Sequence, residues 1–304
     1  MAFKIDPSCP IGLELVRCIR ELLASAIKLT SNTRVSASER IHVARTTCKK
    51  ARAALKLGRS LDQTFYRREN RCLRDAADRF SDLRDASVIT QNFANLVKEC
   101  VSATERKRFD KIRRALAAHR RKITPSPAEF ETQMKQYISS LRVADKRLAH
   151  WSPQDDFDTI LTGFGRTYKR ARCALSAAES TRTGTAFHEW RKAANAHAYQ
   201  CRLLRRVWPS TMRTLGRELK KLTGCQGDEH DLTILAQTLQ QLRRTAELTV
   251  DKKTFSAART LIKNRRRKLR KASVVLGTCV FADRPRVVQK RLAIWWRVAK
   301  RGAG

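Results

Sequence analysis

The sequence predicts an all-α fold. Apolar residues recur at helical spacing along nearly the whole chain, alternating strand-like runs bounded by turn residues are missing, and only 11 Gly and 7 Pro punctuate 304 residues. Helix breaks fall at Thr30 to Ser38, where Ser36, Ser38 and Glu39 suit a helix start, at Leu57 to Ser60, and at Thr124-Pro125-Ser126-Pro127. Further breaks fall at Ser152-Pro153, Thr181 to Thr185, Trp208-Pro209-Ser210 and Arg284-Pro285. The segments between them run to about 15 to 25 residues, or about four helices per half. This gives two helical bundles, residues 1–151 and 152–304, joined near Trp151 to Asp156. Short loops favour antiparallel neighbours within each half.

The two halves carry the same residues in the same register. His42, Arg45, Asp82 and Asp85 recur 146 positions later as His188, Arg191, Asp228 and Asp231. The histidine and the second aspartate stand 43 residues apart in each copy, so the connecting elements have equal lengths. A second echo closes each half, where Lys146-Arg147-Leu148-Ala149-His150-Trp151 is answered by Lys290-Arg291-Leu292-Ala293-Ile294-Trp295. Such repetition implies two similar units packed together, with chemistry expected at the repeated positions.

Composition narrows the function. With 65 Lys plus Arg against 28 Asp plus Glu, the net charge is +37, and such a chain repels itself unless a polyanion neutralises it. A hydrophobic share of 42% excludes a wholly disordered basic tail. The nine cysteines, Cys9, Cys18, Cys48, Cys72, Cys100, Cys173, Cys201, Cys225 and Cys279, are scattered and never form Cys-x-x-Cys. They read as reduced thiols, several of them small buried hydrophobes such as Cys48 and Cys201. The longest uncharged apolar run, Val274 to Ala282, is far shorter than the roughly 20 residues of a membrane helix. The expectation is a soluble, cytoplasmic protein with no membrane partner.

The cations are ordered along helices. On a helical wheel His42, Arg45, Lys49, Arg52 and Lys56 share an arc of about 80°, while Val43, Ala44, Thr47, Ala51, Ala54 and Leu55 take the opposite face. In the second copy His188, Arg191, Arg202 and Arg205 keep the matching arc, Lys192 flanks it, and Asn195 and Ala198 stand where Lys49 and Arg52 stand in the first. Arg259, Lys263, Arg266 and Arg270 share a face of the helix beginning near Lys252, as do Arg106, Arg113 and Arg120 in the first half. Acidic partners at i,i+4 are scarce on these stripes, so the neutralising ladder of a solvated helix is missing. A linear anion with closely spaced phosphates suits them, because each Arg clasps two oxygens and each Lys supplies a movable charge. Aromatic residues, at 7%, do not interleave with the stripes as stacking platforms for bases would. A phosphate chain without bases therefore fits better than RNA or DNA.

His42 and His188 have several readings: a histidine donating to a neighbour, a direct phosphate ligand, a metal ligand, or a phosphoryl acceptor. No His-x-x-x-His or carboxylate cluster accompanies either, so no metal and no cofactor is expected. His230, beside Asp231, carries the same alternatives. Asp85 and Asp231 would repel phosphate unless already paired. They are expected to hold a cation in place as partners of a stripe Arg, a His or a helix N-terminus.

The residues also resemble a known family. His42-Val-Ala-Arg45-Thr-Thr-Cys-Lys49-Lys50-Ala-Arg52-Ala-Ala-Leu55 resembles the opening signature of CHAD domains, and Leu83-Arg84-Asp85 its following step. Gly227-Asp-Glu-His230-Asp231-Leu232 is similar to the second-half step, and the tail from Leu276-Gly277 through Phe281, Pro285 and Trp295 to the closing segment. The resemblance implies two four-helix bundles related by pseudo-twofold symmetry around a basic central cavity that binds inorganic polyphosphate, often at polyphosphate granules. It places phosphate contacts on His42, Arg45, Lys49, Lys50 and Arg52, and on His188, Arg191 and Lys192. Asn195, Ala196 and Ala198 depart from the family's basic pattern; Arg202, Arg205 or the Arg259 to Arg270 stripe would compensate. Some relatives add a triphosphate-hydrolysing domain with a Glu-x-Glu-x-Lys strand, but Glu129-Phe-Glu131-Thr-Gln133 lacks the lysine, so no enzyme activity is inferred. The expected function is non-catalytic polyphosphate binding, with nucleic-acid or ribosome association as the alternative.

Overall fold

A computed structural model of the chain describes residues 3–103 and 105–302. It is all-helical, with no strand among the described residues. The helices are α1 (Ile11–Thr30), α2 (Ala37–Leu57), α3 (Gln63–Asp78), α4 (Ser81–Cys100), α5 (Asp110–Ile123), α6 (Pro127–Ala149), α7 (Phe157–Thr181), α8 (Gly184–Leu203), α9 (Pro209–Arg244), α10 (Lys252–Val280) and α11 (Pro285–Arg301). A 3-10 turn, Arg106–Phe109, precedes α5.

Local chemistry sets the helix starts. Ser36, Asp62, Asp156, Thr183 and Asp251 each accept a hydrogen bond from the backbone N–H three residues on, satisfying a donor the helix cannot. Ser126 and Glu129 form a capping box ahead of α6, with Pro127 in its first turn. α1 has no cap of its own; Asp155, in the loop between α6 and α7, accepts from the Ile11 N–H at 2.6 Å.

Two expectations about the helices change. The first half holds more than four, because the chain breaks at Arg79-Phe80 and again after α4. Phe80 turns fully inward against Phe130 and Tyr137. At the matching position of the second half Gln226 continues the helix, so α9 runs 36 residues and α10 runs 29. The stripes are expected on the last helix of each half, but Arg259 to Arg270 lie on α10, which α11 follows, and Arg113 and Arg120 lie on α5, ahead of α6.

α1, α2, α3 and α6 pack around one another, and α7 packs on α8, α10 and α11. The helices α2 and α8, one from each half, lie directly against each other. Ala53 and Ala54 on α2 and Ala193, Ala194 and Ala196 on α8 are all buried. Gln200 reaches across to donate to the Ala53 carbonyl at 3.0 Å and to Thr167 Oγ1 at 3.1 Å. A Cβ on Gly163 would lie 2.2 Å from the Leu57 carbonyl oxygen, so glycine is what lets α7 approach the end of α2. One core runs continuously from α1 through both halves to Trp296. A second cluster ties α4 and α5 to the far ends of α9 and α10. The Cys100 side chain lies outside the described residues, and the other eight cysteines are free thiols.

Candidate functional site

α2 is the wall on which the site is built. Ala44, Cys48, Ala51 and Leu55 bury one face, which leaves cations projecting on both flanks. On one flank His42, Thr46 and Lys50 line a cleft of about 1300 Å³ between α1, α2, α8 and the start of α9. Lys4, Tyr199, Arg202, Arg205, Arg213, Arg217 and Lys220 line it too. The wheel arc grouped His42 with Arg45, Lys49, Arg52 and Lys56. Around those four a different set of neighbours gathers.

Arg45 donates to Ser81 Oγ at 2.6 Å, and burial lowers its pKa. Lys49 stays accessible to water while standing deep among protein atoms. That position, together with Arg45, Arg191 and Arg84 and against the pull of Asp231, brings its pKa down from 10.5 to about 8. Arg191, from the other half, is likewise lowered by burial, and its Nε is buried with no partner among the described residues. Arg84 closes the group. It donates to both carboxylate oxygens of Asp231, at 2.7 and 3.0 Å, and to Asp85 at 3.1 Å. That ion pair joins α4 to α9, and Asp231 is only 7% exposed. Burial alone would lower the Arg84 pKa, but the two aspartates raise it. Both aspartates thus pair with Arg84, which is not a stripe residue.

The histidines differ from each other. His42 is exposed in the cleft. The rings of His188 and His230 lie 4.9 Å apart. Burial, then Arg191 and the neighbouring His188, push His230 down to about 3. Burial, then Lys192 and Arg191, lower His188, whose Nδ1 is buried without a partner among the described residues. Both are therefore neutral at pH 7, able to donate or accept one hydrogen bond but bringing no charge. Among the described residues no group of three or more His, Cys, Asp or Glu could hold a metal ion.

The ridge continues along α2. Arg52 donates to Asn70 at 3.0 Å. Burial and then Arg52, Arg170, Lys192 and Arg59 bring Lys56 down to about 8. Other stripe residues are neutralised by carboxylates that the i,i+4 test could not see. Lys192 pairs with Glu189 at 2.5 Å. Arg266 and Arg270 both donate to the buried Glu229, at 3.1 and 2.8 Å, and Arg270 also lies over the Phe187 ring. Arg259 and Lys263, further along α10, are exposed and make no ion pair among the described residues. On the first-half stripe, Arg106 binds the carbonyls of Lys98 and Val101 and Arg113 pairs with Asp110.

Sequence reasoning gave no site role to five contributors. Arg84 occupies the position matched by His230 in the second copy, so a search for identical repeated residues passes over it. Arg170, on α7, shows no pattern in sequence. Arg213, Arg217 and Lys220 share one face at i, i+4 and i+7, a signal that was available.

These features define an all-α protein in which unneutralised cations from several helices converge around α2 and α8. The CHAD domain family profile matches residues 17–240, and the chain belongs to that family. The match covers most of α1 through nearly all of α9, so Arg259 to Arg270 and the closing segment Leu276 to Trp295 lie beyond it. No curated protein matches the chain. No helix among the described residues is long and apolar enough to cross a membrane.

Proposed function

We propose that this protein binds inorganic polyphosphate without cleaving it. The site is a basic cavity where two pseudo-symmetric four-helix bundles, the products of an internal duplication, meet along α2 and α8. The observation that carries this reading is the crowding of cations lacking carboxylate partners. Burial first, and then the surrounding cations, destabilise Lys49 and Lys56 as ammonium ions, and the Arg191 Nε has no acceptor among the described residues. Such a cluster costs the free protein stability and is relieved by a polyanion. Membership of the CHAD family is consistent with that ligand. His42, Lys50 and Arg202 extend the phosphate path into the large cleft, and His188 offers a neutral hydrogen bond. Residence in the cytoplasm at polyphosphate granules belongs to the same proposal.

The test is binding of long-chain polyphosphate at moderate salt. The pair Lys49→Glu and Lys56→Glu is expected to weaken it several-fold more than Arg244→Glu with Lys252→Glu, which sit at the far end of the α9–α10 hairpin. Equal losses would mean diffuse attraction. Affinity should fall steeply with salt through counterion release. Displacement by tRNA or duplex DNA at equal phosphate concentration would favour the nucleic-acid reading. Release of orthophosphate in the presence of divalent metals would overturn the non-catalytic one.

A further inference from the structure

Two chemically different sets of side chains line the large cleft, beside the carboxylate of Glu21, which pairs with Arg17. Arg202, Arg205, Arg213, Arg217 and Lys220 supply cations, and Lys50 faces them from α2. None of the six has a carboxylate within ion-pair distance among the described residues: Arg213 and Arg217 bind only the Pro209 carbonyl and Thr214 Oγ1. Burial and Arg202 lower the Lys50 pKa. The other lining is apolar, from Phe3, Leu22, Ala198 and Met212, with the ring of Tyr199 among them. Burial raises the Tyr199 pKa against the effect of nearby Arg202 and Arg191. Its hydroxyl is therefore a neutral donor, and it makes no hydrogen bond with any described residue.

A bare phosphate chain uses only the first lining. At about 1300 Å³ the cleft exceeds the roughly 300–1,000 Å³ of ordinary small-molecule pockets, which leaves space for a ring beside several phosphates. We infer that this cleft takes a nucleoside oligophosphate, its phosphates on the Arg202 to Lys220 wall and its base against Tyr199, Leu22 and Met212. The inference rests on the phosphate-chain reading above and names a second ligand class for one part of that site. Two aromatic residues, Tyr199 and Phe3, line this cleft, enough for one base; a nucleic-acid strand would need a row of them.

Calorimetric titration of the full chain with adenosine tetraphosphate and with inorganic tetraphosphate tests it. The two ligands carry equal phosphate numbers, and the inorganic one carries more charge, so charge alone favours it. The nucleoside ligand is expected to bind roughly tenfold more tightly, the worth of one base on an aromatic ring. Tyr199→Ser should erase that advantage while leaving inorganic tetraphosphate affinity unchanged. Should that variant fold poorly, Arg217→Glu on the exposed side of α9 should weaken the nucleoside ligand more than Lys56→Glu does. Equal affinities, or an advantage that survives Tyr199→Ser, would sink this inference and leave polyphosphate binding standing. Displacement of the nucleoside ligand by a short single-stranded oligonucleotide at equal phosphate concentration would assign the cleft to nucleic acid. Absence of binding by either tetraphosphate would bring down both readings.

Discussion

Raising the pH from 7 to 9 should loosen polyphosphate through two particular lysines. Lys49 and Lys56 both sit near 8 in the free protein, against an ordinary 10.5. For Lys49 the charged groups around it are Arg45 on its own helix, Arg191 on α8, Arg84 on α4 and Asp231 on α9. For Lys56 they are Arg52 and Arg59, Arg170 on α7 and Lys192 on α8. A polyanion favours the ammonium form, so binding takes up protons, and affinity falls as pH rises through 8. Full recovery of the ordinary value in the complex gives about tenfold loss per lysine between pH 7 and 9, and recovery of half the shift gives about sixfold. Proton uptake at pH 9 would reach about 0.9 per lysine with full recovery, which calorimetry in two buffers of different ionisation enthalpy reads directly. His230, near 3, and the lowered His188 are neutral throughout this window, so they add nothing to the slope. The free protein shows the converse sign. Its unfolded chain binds more protons between about 8 and 10.5, so stability rises with pH across that range. Replacing both lysines by arginine keeps the charge and removes the titration, so affinity should hold at pH 7 and the pH slope should flatten. A pH-independent wild-type affinity, or an unchanged slope in the Lys49→Arg, Lys56→Arg protein, would refute the reasoning.

Two further outcomes concern the frame around the site. Asp231→Asn leaves the Arg84 guanidinium without its bidentate acceptor, and should cost about 3 kcal/mol in chemical denaturation, with saturating polyphosphate restoring part of the loss; a variant as stable as wild type would mean the α4–α9 ion pair contributes nothing. Gly163→Ala drives a methyl into the Leu57 carbonyl and should cost about 2 kcal/mol or more, whereas Gly224→Ala, in the middle of α9 with nothing within 4 Å of its Cβ, should gain up to about 1 kcal/mol.

How much of this was legible in the sequence follows from what each signal measures. Caps are local, so the breaks holding Ser36 and Ser126 marked true helix starts. The break at Phe80 was invisible because its cause is tertiary: that ring packs on Phe130 and Tyr137, some 50 residues away in the chain. Repetition singled out Asp85 and Asp231, which pair with Arg84. It could not supply Arg84, whose counterpart is His230. The helical wheel placed the α2 cations correctly around one axis, but an angle does not say which neighbour lies beyond it. Hence His42 and Lys50 face the large cleft, whereas Lys49 meets Arg191 and Lys56 meets Arg170. Scarcity of i,i+4 acids likewise says nothing of Glu229, which reaches Arg266 and Arg270 from another helix.

The differences between the two copies have their own physical consequence. On the duplication proposed above, Lys49, Arg52 and Lys56 of α2 correspond to Asn195, Ala198 and Arg202 of α8. Long cations on α2 fill the space around them, and burial, followed by repulsion from neighbouring cations on α2 and other helices, lowers Lys49 and Lys56. Short residues on α8 leave space in front of that helix, and there the 1300 Å³ cleft opens, with the half-buried Tyr199 between Asn195 and Arg202. Two equally charged halves would give two equivalent phosphate troughs. Loss of two cations from one half instead separates a crowded ridge, suited to the highest density of negative charge, from a wider cleft able to hold a ring. Restoring the charge by Asn195→Lys and Ala198→Arg should therefore tighten polyphosphate and shrink any preference for a nucleoside-bearing ligand, because the new side chains occupy the space the base would take. A gain for both ligands alike would show that charge and not volume distinguishes the halves.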